Sequence, residues 1–379
     1  MKCMGLSRLD ERLLELFGEV IQSGQWTRFY DKDGNFREGM VTRLETWARG
    51  FFGKNYALAT TSGTQSLVLS LESLDVRAKE VIVPSYSFTA CAQAIVAAGA
   101  TPMVAPIDGS MTLDVSKLEG LLSSKTAAVM VVHMRGIPND VRAVREAVHR
   151  YGLPIIEDCS QFDGLTIEGT PAMSDYSDVQ VLSFQGRKVI SAGEGGLVLT
   201  NSQRLYERLF RQHDPAWYMR KMRFSESYFP FSGGCRMNEI TAAVIMYQTT
   251  EMSEFLAKLR AMHDAIHTQT PSSIKSPRLT FAAEQGGTLV LRARTPREAK
   301  TWKIRLEALG IPIYPESANP TDVHFFSGWP EALRARCLTP VELLTSEGVI
   351  SERILIQLDP NWSTGQCADT LSAIVSATA

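Results

Sequence analysis

Lys188 and Asp158 are the two residues whose types and positions could support covalent chemistry. Lys188 ends the segment 183–188 (SFQGRK), which follows an apolar run and precedes the glycine-rich residues 192–196. A neutral lysine amine attacks aldehydes to form a Schiff base, and a desolvated site near other positive charge favours the neutral amine. Asp158 ends the apolar run LPIIED, where a carboxylate costs free energy unless it has a cationic partner. The pair therefore predicts a Schiff-base site with a carboxylate that holds a cationic group.

Two other segments could complete such a site. Ser62, Gly63 and Thr64 open a helix-like stretch, and the N-terminus of a helix favours phosphate through its free N–H groups and dipole. Phe88 follows an apolar run and could stack on an aromatic ring. A phosphate, an aromatic ring with a protonated nitrogen and an aldehyde are the parts of pyridoxal 5′-phosphate (PLP), which these segments together predict as the cofactor.

Each segment also has an ordinary structural interpretation. The S-G-T sequence is a common helix N-cap, and Asp158 could cap or bond a loop. A lone lysine in a loop is usually solvated, and Phe88 could pack the start of a helix. The order along the chain favours the cofactor site, because one predicted strand has Ser183 at its end and Lys188 in the loop beyond, and Asp158 ends the strand before it.

These residues need a sheet to position them, and residues 55–200 predict one. The predicted strands are 81–84, 101–107, 127–133, 153–158, 179–184 and 195–200, and the predicted helices are 64–74, 88–98 and 139–151. Near-continuous apolar runs are typical of strands that are buried on both faces. Their alternation with helices predicts an α/β sheet, whose ligands bind beyond the carboxyl ends of the strands.

The remaining residues predict a second, smaller unit. Helical spacing over residues 236–267 predicts one long helix. It is followed by a linker (268–277), a strand (288–293), a helix (296–309), a proline-rich loop (311–320) and a helix from about residue 364. We expect a large α/β domain over residues 1–250 and a small α+β domain over residues 251–379.

Composition excludes several classes of function. The 379 residues carry a formal charge of −2, which gives no reason to expect nucleic acid or a membrane surface as a partner. No apolar run approaches the ~20 residues of a spanning helix, and the N-terminus lacks a signal-peptide core, so we expect a cytoplasmic protein. Six cysteines without C-x-x-C and six histidines without H-E-x-x-H predict neither a disulfide framework nor a metal site. The first strand lacks a following G-x-G-x-x-G, which disfavours a nicotinamide dehydrogenase.

The chain resembles the DegT-type family of fold type I PLP enzymes, the sugar and cyclitol aminotransferases. The resemblance extends over residues 14–247 and more loosely to the C-terminus. It is carried by seven ordered motifs at residues 23–26, 56–64, 81–88, 99–102, 156–161, 183–188 with 193–196, and 236–237 with 242–243. The family implies a mainly parallel central sheet with helices on both faces, a smaller C-terminal α+β domain, and a homodimer with shared active sites.

The resemblance also implies roles for individual residues. Lys188 would be the Schiff-base lysine and would move the proton, Asp158 would pair with the pyridinium nitrogen, and Phe88 would stack on the ring. The other implied contacts are Gln161 near the phenolic oxygen and, at the phosphate, Gly63, Thr64 and Ser183.

Departures from the family concern its less regular parts. Gly234 stands where the family usually has an asparagine that reaches the neighbouring subunit's phosphate. The stretches 313–320 and 356–360, which help shape the acceptor pocket, match only loosely. Arg236 could bind a phosphate, a carboxylate or an acidic neighbour, and His133 either faces the site or is satisfied locally at the end of its strand.

Together these expectations predict an aminotransferase that moves an amino group from glutamate or glutamine to a keto-sugar nucleotide or a keto-cyclitol. Such a reaction belongs to secondary-metabolite (including antibiotic) or cell-surface sugar biosynthesis. One alternative is a divergent PLP enzyme that modifies amino acids or dehydrates its substrate, although dehydrating relatives typically lack the lysine. Another is a non-catalytic PLP-binding regulator or partner subunit, which the Asp158–Lys188 pair disfavours.

Overall fold

A computed structural model describes residues 11–28, 37–161, 166–167, 170–171, 175–215, 233–277, 282–283, 286–340, 343–359 and 361–378. Its α-helices are α1 (Glu11–Ser23), α2 (Met40–Phe52), α3 (Gly63–Ser73), α4 (Thr89–Ala97), α5 (Val115–Leu121), α6 (Val141–Val148), α7 (Gln203–His213), α8 (Glu239–Thr249), α9 (Met252–Gln269), α10 (Pro296–Ala308), α11 (Glu331–Arg334), α12 (Leu343–Ser351) and α13 (Thr364–Thr378). Its strands are β1 (Tyr56–Thr60), β2 (Glu80–Pro84), β3 (Thr101–Ala105), β4 (Thr126–Val132), β5 (Ile155–Asp158), β6 (Thr166–Ile167), β7 (Thr170–Pro171), β8 (Val179–Ser183), β9 (Gly196–Thr200), β10 (Ala282–Ala283), β11 (Thr288–Arg292) and β12 (Arg353–Gln357).

The central sheet has seven strands in the order β1-β9-β8-β5-β4-β2-β3, and only β9 runs against its neighbours. The strands β8, β5, β4, β2 and β3 pair in parallel. Val132 of β4 lies opposite Asp158 of β5, which in turn lies opposite Val181 of β8. The carboxyl ends of these three strands therefore meet at one edge, as the sequence predicted.

Helices cover both faces of the sheet because alternate residues of each strand point to opposite sides. On β4, Met130 belongs to a core shared with α3 and α4, whereas Val129 and Val131 belong to a core shared with α6. All three side chains are fully buried, and such burial contributes about 1.5–3 kcal/mol each. The predicted mainly parallel sheet with helices on both faces is confirmed.

The strand β1 and the helix over residues 236–267 differ from the sequence prediction. The strand β1 was not predicted, since its alanines have low strand propensity, yet it pairs along its whole length with β9. The single helix predicted over residues 236–267 is wrong, because the structure has α8 and α9 with a break at Thr250 and Glu251. The hydroxyls of Thr249 and Thr250 bond the carbonyls three residues earlier, a contact that competes with helix continuation.

The C-terminal part builds its own core around the antiparallel pair β11 and β12, packed by α9, α10 and α13. The predicted strand and two helices are present there, and α12 and β12 were not predicted. One segment returns to the large sheet: Phe326 N donates to Ser85 O at 2.8 Å, and Ser87 N donates to His324 O at 3.0 Å. The division of the chain into domains at residue 250 stays a prediction.

Within the described residues, no helix is both long and apolar enough to cross a membrane. The five cysteines of these residues are free thiols, and Cys3 lies outside them.

Candidate active site

A cavity of about 750 Å³ opens at the edge where β4, β5 and β8 end. All eight cofactor-binding residues predicted from the sequence line it: Ser62, Gly63, Thr64, Phe88, Asp158, Gln161, Ser183 and Lys188. The structure therefore brings together residues from four separate segments of the chain.

Asp158 presents a buried carboxylate to this cavity, with only 5% of the residue exposed. Its Oδ1 accepts the N–H of Ser160 at 2.9 Å, and its Oδ2 accepts the thiol of Cys91 at 3.2 Å. Burial raises the pKa of the Cys91 thiol, Asp158 adds to this rise, and Lys188 opposes it. A carboxylate oxygen has two lone pairs, so Oδ2 can accept a further donor from a ligand.

Lys188 is half-buried in a tight turn that follows β8. Its backbone N–H donates to Gln185 O at 2.9 Å, while Phe184 N donates to Gly195 O at 2.9 Å. Val189, the next residue, is fully buried and fixes the turn to the core. The amine consequently projects from a turn that is held on both sides.

The N-terminus of α3 and the end of β8 form a cradle for an anion. Ser62 caps α3 by accepting the N–H of Gln65 at 3.2 Å, so its own hydroxyl hydrogen can be donated elsewhere. A side chain at Gly63 would place its Cβ 2.6 Å from the Cβ of Ser183, and one at Gly196 would lie 2.4 Å from the backbone of Ser62. These glycines allow the helix terminus and the strand to approach closely enough to share one anionic group.

Phe88 lines the same cavity with 46% of the residue exposed. Its ring centroid lies 5.8 Å from that of His324, which comes from the C-terminal part of the chain. An aromatic face that borders a cavity is suited to stacking on a planar ring.

His133 borders the cavity, but both ring nitrogens are bonded within the protein. Nδ1 accepts the N–H of Asn139 at 3.0 Å, so Nε2 carries the hydrogen and donates to Oε1 of Glu157 at 2.9 Å. His133 is therefore satisfied by partners at the end of its strand, which is one of the two roles that the sequence allowed. With Cys159, His133 and Glu157 also form a cluster whose atoms are close enough for a metal ion, as do Glu316, Asp322 and His324. The expectation of no metal stays a prediction.

Arg236 and Gly234 are not among the residues that line the cavity, although Arg236 pairs with Thr60, two residues before the lining residue Ser62. Arg236 places Nη1 3.7 Å from Oδ1 of the buried Asp214, which is the acidic-neighbour alternative for this residue. Gly234 has φ +64, and a Cβ there would meet no atom within 4 Å. The left-handed backbone explains why glycine is favoured, and asparagine is among the few other residues that adopt it readily.

A second wall of the cavity was predicted only in part, because the family resemblance named the stretches 313–320 and 356–360 but neither Arg135 nor His324. It contains Arg135, just beyond β4, and residues of the C-terminal part, namely Tyr314, Pro315, His324 and Gln357. One signal was available, because Arg135 follows the buried apolar run AAVMVVH, the same pattern that identified Asp158. Tyr314, Pro315 and His324 lie in loops and Gln357 ends β12, and no periodic pattern indicates these positions as a site.

The comparisons with known proteins agree with this architecture. Residues 7–303 match the model of the DegT/DnrJ/EryC1/StrS aminotransferase family. The chain belongs to this family and is an aminotransferase, in agreement with the family predicted from its motifs.

Individual relatives extend the comparison. The chain is 32% identical over 325 residues to an L-glutamine:2-deoxy-scyllo-inosose aminotransferase of Streptoalloteichus tenebrarius, covering 80% of this chain and 75% of that protein. It is 34% identical over 173 residues to a GDP-perosamine synthase of Vibrio cholerae, covering 45% of this chain and 47% of that protein. The solved aminotransferase from Psychrobacter cryohalolentis superposes with a TM-score of 0.81 at 21% identity, covering 98% of this chain and 97% of that one. The last comparison confirms the fold.

Proposed function

We propose that this aminotransferase uses pyridoxal 5′-phosphate to move an amino group from glutamate or glutamine to a keto-cyclitol or a nucleotide-linked keto-sugar. One observation carries the proposal: a single cavity unites Lys188, the buried Asp158 and the cradle at Gly63. These supply a nucleophilic amine, a carboxylate for a ring nitrogen, and an anion site.

The chain's residues fit the cofactor part by part. The cradle of Ser62, Gly63, Thr64 and Ser183 suits a phosphate, and the free acceptor capacity of Asp158 suits a protonated ring nitrogen. Phe88 offers its ring face to the cavity. When bound, the cofactor supplies a carbonyl that takes up the amine and a ring that withdraws electrons.

The protein's own groups have distinct tasks in this proposal. Asp158 holds a proton on the ring nitrogen, Lys188 moves a proton at the carbon that bears the amine, and the cradle fixes the phosphate. Over the whole cycle the donor's amine and the acceptor's carbonyl oxygen change places, so an amino acid leaves as its 2-oxo acid and a ketone leaves as an amine.

The substrate class follows from the relatives named above. One is named for L-glutamine and a keto-cyclitol, and another for a GDP-linked amino sugar. A cavity of about 750 Å³ has room for a hydroxylated six-membered ring beside a cofactor. We place the reaction in secondary-metabolite, antibiotic or cell-surface sugar biosynthesis.

The test is to mix the holoenzyme with single amino acids and follow the absorbance of bound cofactor. We expect L-glutamine or L-glutamate to convert it to the pyridoxamine form, and a keto-cyclitol or keto-sugar nucleotide to restore it. Lys188→Ala, loaded with the same cofactor, is the matched control and should show neither change. A wild-type protein that retains PLP but reacts with no amino acid would contradict the proposal.

We also propose a homodimer as the active unit, as the family resemblance implies. Sedimentation at micromolar concentration should give about twice the chain mass of 41.9 kDa. A fully active monomer would contradict this proposal.

A further inference from the structure

Arg135 is held in the second wall of the cavity by an unusual backbone. It lies in the short turn Met134–Gly136 just past β4 and has φ +56, a region that non-glycine residues seldom adopt. This conformation costs roughly 1–2 kcal/mol for an ordinary side chain. The turn therefore fixes Arg135 at the cavity, where 16% of its side chain is exposed.

Three residues fix the guanidinium of Arg135. Its Nε donates to Oε1 of Glu316 at 2.5 Å, and the hydroxyl of Tyr86 donates to the same oxygen at 3.2 Å. The ring of Tyr314 lies 3.9 Å from the guanidinium carbon, close enough for a cation–π contact. Glu316 is fully buried, and its Oε2 has no hydrogen-bond partner within the described residues. Arg135 is thus the charge that compensates this carboxylate.

The outer edge of the guanidinium is left for a ligand. Nη2 lies 3.5 Å from Nε2 of His324, whose Nδ1 is held by Asp322 at 2.6 Å. Nη1 makes no hydrogen bond to any residue that the structure describes. Two terminal N–H groups in one plane match the two oxygens of a carboxylate.

Arg135 also contacts the segment that follows Asp158. Its backbone N–H donates to Oε1 of Gln161 at 2.7 Å, and Gln161 follows Asp158 by three residues. Both Gln161 and Arg135 line the cavity that contains Lys188. The α-carboxylate of an amino acid is one bond away from the carbon that bears the amine. A donor whose amine reacts in this cavity therefore brings its carboxylate into the same cavity, where Arg135 is a cationic lining residue.

We propose that Arg135 binds the α-carboxylate of the amino donor, with Glu316 as its positioning residue. This assignment rests on the proposed aminotransferase function.

The pairing with Glu316 also explains how two different substrates use one cavity. Burial lowers the pKa of Arg135, but the neighbouring Glu316 carboxylate more than offsets this and raises the pKa, so the guanidinium stays charged. Because Glu316 compensates that charge, an uncharged hydroxylated acceptor can replace the carboxylate without leaving a bare cation behind. The same compensation disfavours a dianionic phosphate at this position.

The test compares Arg135→Gln with the wild-type holoenzyme in separate half-reactions. L-glutamate and 4-aminobutyrate are the matched donors, since they differ only by the α-carboxylate. We expect apparent affinity for L-glutamate to weaken about 10- to 100-fold, the range for a hydrogen bond to a charged group. Reaction with 4-aminobutyrate, which has no α-carboxylate, should change by less than about threefold on the same basis. Arg142→Gln, an exposed ion-pair residue on α6, is the surface control and should leave every value unchanged.

A second variant and a binding measurement protect the test from misfolding, because Arg135→Gln leaves the buried Glu316 without its counter-charge. Arg135→Lys keeps the charge but loses the planar fork, so it should weaken L-glutamate several-fold. Calorimetry with glutarate, which has no amine to react, should show weaker binding to both variants in the same order.

The outcomes separate this inference from the proposed function. Equal loss with both donors, or loss confined to the keto acceptor, would overturn the carboxylate assignment, as would unchanged glutarate binding. A wild-type protein that binds glutarate through Arg135 but converts no α-amino acid would overturn the aminotransferase proposal and the donor assignment with it.

Discussion

The two walls of the cavity are built in different ways. The first, which we call the strand-end wall, consists of Asp158, Ser183, Lys188 and the start of α3. The second, which we call the C-terminal wall, consists of Tyr314, Pro315, His324 and Gln357. It is joined to the sheet through Arg135, whose partner is the buried Glu316.

In the strand-end wall, backbone hydrogen bonds of the sheet and of the turn after β8 place Asp158, Ser183 and Lys188. Asp158 and Ser183 end neighbouring parallel strands, and the register sets Asp158 opposite Val181, two residues before Ser183. In the C-terminal wall, contacts between side chains far apart in sequence do this work, as Arg135 with Glu316 shows. We infer that the first wall serves the cofactor and the second serves the substrates, so changes in each should separate cofactor retention from substrate use.

The largest effect should come from Lys188→Ala in the strand-end wall. Loss of both the nucleophile and the proton carrier should reduce turnover by at least about 10³-fold. Steady-state assays with L-glutamine and the keto acceptor measure it. Arg142→Gln is the surface control, and a variant with more than a tenth of normal turnover would remove Lys188 from the mechanism.

The second-largest loss of turnover is expected for Asp158→Asn. The change keeps the shape but removes the charge that holds the ring proton. Breaking a buried ion pair costs about 3–5 kcal/mol, or about 150- to 4,000-fold in rate. The fold should persist, as measured by circular dichroism, because Cys91 and Ser160 can still bond the side chain. Near-normal turnover would show that Asp158 does not act on the cofactor.

Gly63→Ala tests the cradle. The new Cβ would lie 2.6 Å from Ser183, so that strand end must shift, at a cost of about 1–3 kcal/mol. Dialysis into PLP-free buffer should show faster cofactor loss. The matched control is Gly50→Ala at an exposed position of α2, where a Cβ meets nothing within 4 Å and the helix should gain about 0.5–1 kcal/mol. Equal retention in both variants would place the phosphate elsewhere.

His324→Ala tests the C-terminal wall. Removing this ring should lower turnover up to about tenfold, the value of a typical hydrogen bond, through changed substrate affinity. Cofactor retention, measured by the same dialysis, should stay at the wild-type level. Loss of cofactor together with turnover would show that the two walls do not divide their tasks.

The smallest effect should come from Gly234→Asn. Asparagine tolerates φ +64 and has open space there, so stability should change by less than about 1 kcal/mol. If this segment reaches the partner's phosphate, as in the family, the added amide should slow cofactor loss several-fold. Faster or equal loss would show that the loop does not follow that path.

The same contrast explains what the sequence could predict. Buried strands have continuous apolar runs, so the ends of β5 and β8 and the residues at them were identified from local pattern. The strand β1 was missed because its alanines favour no strand, and the break after α8 was missed because threonine hydroxyls interrupt an otherwise helical pattern. The contacts of Glu316 with Arg135 and of His324 with Phe88 could not be predicted. These partners are far apart in the sequence, and no local pattern relates them.

The most direct test of the central claim is to reduce the holoenzyme with borohydride and map the labelled peptide. We predict one cofactor-bearing peptide, with the label on Lys188, and no label in Lys188→Ala. Label on another lysine, or undiminished labelling of that variant, would contradict the assignment of this cavity as the site of the chemistry.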